Sequence, residues 1–297
     1  MRYRPLGPSG SAVSAITLVL DADLAANNAE VIRSIVFSAL EHGINAFHID
    51  SLDRTLIRTV GEALSHVERD LLYISLTVGP LPNGKRDFTP EGVDAVLTAV
   101  LKASNIEYVD AIILDDPAQN ELPTSSIKAI RSDERIRSLG VRGDSEVMEI
   151  YVNSSLFDVL HAPCHVQLNA KQRNRLREAR ENEMTVFGVD YYPERLLKAP
   201  PPPPPPPVER GLFGIKKKQP PVEIPTSPFD FLENIPGWEA EDICLAHALL
   251  DTSLAGVLIH ASSIDRLERL AAACERDMPV SMPAQLEMAR VGKIRAA

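Results

Sequence analysis

The chain has 297 residues, 44% hydrophobic and 24% charged, with a formal net charge of −10. This is the composition of a globular protein with a substantial core, and its acidic balance excludes non-specific attraction to nucleic acid, which needs a basic surface. Three scattered cysteines, Cys164, Cys244 and Cys274, match no metal spacing and point to reduced thiols. With neither a signal-like N-terminus nor an apolar run of membrane-spanning length, the expectation is a cytoplasmic protein that does not associate with membranes.

Residues 2–13, rich in Gly, Pro and Ser, are expected to form a short hairpin or cap. Residues 15–20 then read as a first strand and Ala29–Glu41 as a helix with Val31, Ile35, Val36 and Leu40 on one face. Gly43 ends that helix, and residues 44–49 form the second strand. Residues 56–64 are helical and 71–78 are the third strand. Thr89, as an N-cap, and Pro90 open a helix that runs to about Ser104. The alternation continues with strands at 109–114, 136–142, 157–161 and 184–189. The helices between them lie at 125–130, 146–152 and 171–182, the last a charged helix with Leu176 and Ala179 inward and a solvated outer face.

Eight consecutive prolines, Pro200 to Pro207, break the pattern, and a Gly/Lys/Pro-rich stretch follows to about Pro236. The pattern resumes with a helix at 240–250, a strand at 256–260 and a helix over Ile264–Glu275. Apolar strand runs alternating with helices are the mark of a parallel sheet covered on its outer face. Eight such units favour closure into an α/β (β/α)8 TIM barrel. An open doubly wound sheet is the alternative, but no Gly-x-Gly-x-x-Gly turn follows the first strand. The expected organisation is one barrel domain over residues 1–297, with an N-terminal hairpin cap and a Pro-rich insertion after strand 7 at about 199–236.

Several stretches occur in the order found in the aldo-keto reductase superfamily. Tyr3-Arg4-Pro5-Leu6-Gly7-Pro8-Ser9-Gly10, with Val13-Ser14, resembles that family's N-terminal hairpin, and Gly43-Ile44-Asn45-Ala46-Phe47 its second strand, followed by Gly61-Glu62-Ala63-Leu64. Tyr108-Val109-Asp110 with Ile112-Ile113-Leu114 is similar to the fourth strand. Arg135-Ile136-Arg137-Ser138-Leu139-Gly140-Val141 is similar to the fifth, and Phe157-Asp158-Val159-Leu160 with Pro163 to the sixth. The resemblance covers most of the chain outside 200–236 and implies the barrel already read from periodicity.

It also implies NADPH-dependent carbonyl reduction by an Asp, a Tyr, a Lys and a His near the strand ends. Those positions hold His48, Asp53, Thr77 and Asp115. Hydride transfer leaves an alkoxide that needs a proton from a group within hydrogen-bond reach. Asp53 puts an acceptor where the family's phenol donates, and Asp115 adds negative charge where negative charge develops. Aligning Asp50 with the family's Asp puts Thr55 at the Tyr position, so neither register restores the phenol.

The implied cofactor positions are altered too. The Ser-Asn pair after the fifth strand becomes Arg142-Gly143, the Gln of the sixth strand becomes His161, and a phosphate-side Gly becomes His260. Tyr191 or Tyr192 stands for the aromatic that stacks on nicotinamide. Ser262, Ser263 and Arg266 are the remaining candidates for NADP(H), with a plain helix cap as the competing role for the serines. No cofactor is expected, with NADP(H) as the alternative.

The expected function is therefore an aldo-keto reductase-like barrel without reductase activity, a pseudoenzyme-like binding or interaction protein. An atypical NADP(H)-dependent oxidoreductase acting on carbonyls is the first alternative. A metal-dependent hydrolase is the second, since His48, Asp50, Asp53, Asp115, Asp116, His161, His165, Asp190 and His260 share the barrel mouth and such side chains suit Zn, Mn or Fe. No metal-binding spacing supports it, and no metal is expected. The candidate surface for a protein partner is the polyproline run from Pro200 to Pro207, a preformed ligand for aromatic grooves, with the basic Lys216, Lys217 and Lys218. A plain surface insertion is the competing reading.

Overall fold

A computed structural model describes residues 1–6, 12–81, 84–193 and 227–296. The polyproline run and Lys216 to Lys218 lie outside the described residues. So do residues 7–10 of the hairpin and most of the expected insertion. The last part of that span, 227–236, is described: it forms a short 3₁₀ turn, Asp230–Asn234, with Phe229 and Leu232 buried against the barrel.

Two short strands, β1 (Tyr3–Pro5) and β2 (Ala12–Ser14), pair antiparallel. Eight parallel strands follow: β3 (Ile16–Leu20), β4 (Ala46–Ile49), β5 (Tyr73–Val78), β6 (Ala111–Asp115), β7 (Leu139–Arg142), β8 (Val159–Pro163), β9 (Thr185–Val189) and β10 (Leu254–His260). They close into one barrel, with β10 hydrogen-bonded to both β9 and β3. The outer layer comprises α2 (Ala29–Glu41), α3 (Arg54–Leu64), α4 (Pro90–Ser104), α5 (Thr124–Arg131), α6 (Val147–Val152), α7 (Ala170–Glu181), α8 (Ala240–Ala248) and α9 (Ile264–Glu275). A short α1 (Ala22–Ala25) precedes α2, and α10 (Met282–Ala296) ends the described chain.

The expected cap of α4 forms: Thr89 accepts from the Gly92 N–H with Pro90 in the first turn. Asn28, not singled out from sequence, caps α2 through the N–H groups of Glu30 and Val31. Gly43 follows α2 at φ +77°, a conformation that favours glycine.

Side chains alternate along the strands, apart from a register shift in β10 between Leu254 and Gly256, which makes two cores. The outer one packs Phe47, Ile74, Leu76, Ile112, Leu114 and Leu160 under the helices. The inner one fills the barrel with Val19, Ala46, Tyr73, Ile113, Val159 and Phe187, closed below by Val13 of β2 and Leu6. Towards the C-terminal ends of the strands the inner positions turn polar: His48, Ser75, Thr77, Asp115, Arg142 and His161. These six positions, on five strands, share one mouth because the sheet is closed, and it is there that a barrel of this kind carries its chemistry.

Candidate functional site

Four rings run up the barrel interior, from Tyr73 at the start of β5 to His48 near the mouth. Tyr73 stacks on Phe187 at 5.0 Å between centroids, Phe187 meets the edge of His161 at 5.5 Å, and His161 meets His48 edge-to-face at 4.9 Å. The register pairs His48 with Ser75 of the neighbouring strand. The Ser75 hydroxyl lies 2.8 Å from His48 Nδ1, and the Thr77 hydroxyl 2.9 Å from Nε2, so both ring nitrogens are satisfied by groups that can donate or accept. Complete burial, reinforced by the positive Arg142 and by His260, drives the His48 pKa down to about 3. His161 is driven well below its ordinary value by burial, with His48 and Arg142 adding to the effect. Both of its ring nitrogens are buried without a hydrogen-bond partner among the described residues.

Above the histidines a guanidinium bridges three strands. Arg142, at the end of β7, donates from Nη1 to Asp50 Oδ1 at 2.8 Å and from Nε to Asp115 Oδ1 at 2.6 Å. Burial alone would lower its pKa, but the bonds and charges of Asp115 and Asp50 outweigh that and raise it, so the group stays a cation.

The loops around Arg142 are tied together. Arg86 Nη2 donates to the carbonyls of Asp115 at 2.5 Å and Asp116 at 2.6 Å, and Ser145 Oγ donates to Asp116 Oδ1 at 2.6 Å. Asp116 sits at φ 45° and Gly143 at φ 148°, and a Cβ on Gly143 would lie 2.3 Å from Asp116 Oδ1. From α7 the buried Arg175 reaches Asp144 Oδ1 at 2.8 Å and the Ser145 carbonyl at 3.0 Å. The outer face of α7, expected to be solvated, thus sends one of its cations inward. On the opposite rim His260 Nδ1 lies 2.6 Å from Asp21 Oδ2. Burial would raise the Asp21 pKa, and the bonds from His260 and the Leu24 N–H more than offset this and lower it. These groups enclose a cavity of about 350 Å³ lined by His48, Asp50, Asp115, Arg142, His161, Asp190 and His260, among others.

The mouth therefore gathers most of the residues singled out from sequence, and three fall elsewhere. Asp53 caps α3, accepting from the Leu56 N–H at 2.8 Å. Asp116 is held by Ser145 as above. His165 borders a separate cavity with Cys164 and His247, its Nδ1 accepting from the Gln167 N–H at 3.2 Å. Among the described residues no three His, Cys, Asp or Glu side chains form a group that could hold a metal ion. Sequence reasoning named Arg142 only as a lost cofactor contact and overlooked its bridging role. The available signal was its place at a strand end, in one layer with His48 and Asp115.

No protein-family model matches the sequence, and no curated protein matches it. Among solved structures the chain is similar to aldo-keto reductase AKR11C1 from Bacillus halodurans. The holo form superposes with a TM-score of 0.76 at 19% identity, covering 97% of this chain and 96% of that one. The apo form gives 0.69 at 18% identity with the same coverage. The fold is that of the aldo-keto reductases. At this identity the likeness is one of fold, and the chemistry must be read from the side chains.

Among the described residues, side chains singled out for NADP(H) are already engaged within the protein. Ser263 Oγ caps α9 by accepting from the Arg266 N–H at 3.4 Å, and the Ser262 carbonyl accepts from Asn27 Nδ2 at 3.2 Å. Arg266 Nη2 donates to the buried Glu241 at 2.6 Å, and Arg269 donates to the other oxygen of the same carboxylate at 2.7 Å. Tyr191, buried, donates to Glu241 at 2.8 Å rather than offering its face to a ligand. The cation nearest the expected phosphate position and one of the two candidate stacking aromatics are thus both committed to one internal carboxylate.

Proposed function

We propose that this protein is an aldo-keto reductase-like barrel that does not reduce carbonyls and acts by binding at its polar mouth. The observation that carries this reading is the Asp50–Arg142–Asp115 bridge above the neutral His48. Carbonyl reduction asks the protein for a proton donor of matched acidity beside the reacting oxygen. Among the described side chains around the cavity, Arg142 holds its proton too tightly to donate it. Asp50 and Asp115 already accept from Arg142, His48 and His161 are held neutral far below their ordinary range, and the His260 ring is engaged by Asp21 on the rim. Two carboxylates at the mouth also oppose the negative charge that an alkoxide develops.

Titration of the purified full chain with NADPH, followed by fluorescence, and then addition of short aliphatic and aromatic aldehydes tests this directly. The expected result is no saturable binding in the micromolar range and no loss of the nicotinamide absorbance. Binding together with aldehyde-dependent oxidation of NADPH would establish an atypical reductase instead.

A further inference from the structure

We propose that the barrel mouth is a binding site for a small aliphatic diamine or polyamine. The inference rests on the reading above in one respect: the mouth is not occupied by a pyridine nucleotide.

The first observation is an unbalanced set of hydrogen-bond acceptors. Arg142 uses Nη1 on Asp50 Oδ1 and Nε on Asp115 Oδ1, so one cation serves two carboxylates. The second oxygens, Asp50 Oδ2 and Asp115 Oδ2, receive no donor from the described residues. Asp190 at the end of β9 lines the same cavity, is exposed, and receives no donor from them either. It is held at φ 51°, in the left-handed region that non-glycine residues seldom enter. Asp144, the fourth carboxylate on the wall, is matched by Arg175, and Asp21 on the rim by His260. The unmatched remainder is negative, and it suits a ligand rich in N–H donors rather than an anion.

The second observation is independent of the carboxylates. His161 is 1% exposed and forms part of the cavity floor, and neither ring nitrogen has a partner among the described residues. A buried polar group left without a partner is costly, so such groups are normally satisfied by protein, water or ligand. A neutral imidazole has a lone pair to offer, which an ammonium, or a water ordered by one, can satisfy.

Spacing decides between an ion and an extended ligand. A divalent cation needs its oxygens within about 2.3–2.6 Å of one point, and no three acidic or histidine side chains of the described residues approach that arrangement. Each primary ammonium carries three donors. A chain with a cation at either end can reach acceptors too far apart for a single ion. A cavity of about 350 Å³ accommodates such a chain and falls in the range of small-molecule sites.

Calorimetric titration of the full chain with putrescine and spermidine tests the proposal, with butanediol, succinate and magnesium chloride as matched controls. The amines should bind saturably, and the diol and the diacid should not. Asp190→Asn keeps the shape and tolerates the left-handed backbone, so the variant should fold and bind the amines at least tenfold more weakly. His161→Phe, which fills the same space without a lone pair, should weaken binding as well, with an unchanged circular dichroism spectrum as the check on folding. Equal binding of the diol, tighter binding of magnesium than of the amines, or unaltered affinity in a folded Asp190→Asn variant would overturn it. The two readings fail separately. NADPH that binds and displaces the amines removes the reading of the mouth as free of a nucleotide. Failure of both NADPH and the amines to bind removes only the present inference.

Discussion

At the scale of single residues, the histidine pair inside the barrel links stability to acidity. His48 and His161 have folded-state pKa values depressed below the ordinary 6.5, His48 to about 3. The unfolded chain therefore takes up protons first as the pH falls. Their contribution is complete above about pH 6.5 and is lost progressively below it, by up to about 1.4 kcal/mol per pH unit for each group. His165 and His247 are shifted in the same direction by burial and add to the slope. Urea denaturation of the wild type should show a clear fall in midpoint between about pH 7.5 and about pH 5.5, and His161→Phe should flatten part of it. A wild type with equal midpoints at both values would mean that the pair is not held neutral. Arg142 gives a second test. Replacing it with Met leaves Asp50 and Asp115 facing each other unbridged. Because these side chains are 24% and 29% exposed, water screens part of the loss, and about 1–2 kcal/mol at neutral pH is expected rather than the larger cost of a fully buried pair. Adding Asp50→Asn and Asp115→Asn to that variant should restore much of it. Both effects depend on which residues share the barrel interior. Sequence placed His48, Asp115 and His161 at the mouth through strand order alone, but not the pairing of Arg142 with carboxylates on two other strands, which needs three-dimensional register.

At the scale of elements, the sequence reads well where the local physics is decisive. The helix occupies Ala29–Glu41 as read, ended by Gly43, but its buried face is Ile32, Ile35, Val36 and Ala39, with the expected Val31 and Leu40 only half-buried at its edges. Strand edges are less readable. Val109 and Ile136 were expected inside the fourth and fifth strands, yet they meet only in an isolated bridge before β6 and β7 begin. An apolar run continues through such an entry segment because it too is buried, so hydrophobicity cannot mark where the ladder starts. The helix α10 packs Met282, Leu286 and Ala289 at helical spacing, but Met288 and Val291 are apolar and exposed, so the sequence shows no single apolar face there. The buried Arg175 went unseen for a related reason, since the carbonyls that satisfy it lie on a loop about thirty residues away. Asp53 shows how a position matched to a catalytic residue can serve local structure instead. Asp53→Ala removes the cap on the Leu56 N–H and should cost about 1 kcal/mol, while Asp53→Ser should retain most of it. Chemical denaturation of the two variants measures this, and equal loss in both would point to a role other than capping.

At the scale of the whole molecule, closure of the barrel joins the two ends of the described chain. β3, the first barrel strand, pairs with β10, the last, and the hairpin seals the bottom with Val13 and Leu6. Arg4 fastens that seal to the entry of β10, donating to the carbonyls of Leu249 at 2.6 Å, Asp251 at 2.9 Å and Leu254 at 2.7 Å. These carbonyls belong to the segment that delivers the chain into β10, so one side chain holds both the cap and the closing strand. Arg4→Ala should leave three partly buried acceptors without their donor and cost roughly 2–3 kcal/mol. Arg4→Lys, with a single ammonium in place of the fork, should recover only part of that. The form of the loss is as informative as its size. Trp238 lies under Arg276, 4.0 Å from its ring centre, and its fluorescence reports on the C-terminal third, whereas far-ultraviolet circular dichroism reports on all the helices. If closure makes the barrel one cooperative unit, both signals should shift together in the Arg4→Ala variant and keep the wild-type slope against denaturant. A circular dichroism midpoint that falls while the fluorescence midpoint stays put would show that the C-terminal third holds its structure without the hairpin clamp, and that closure at β3–β10 is not what couples the ends.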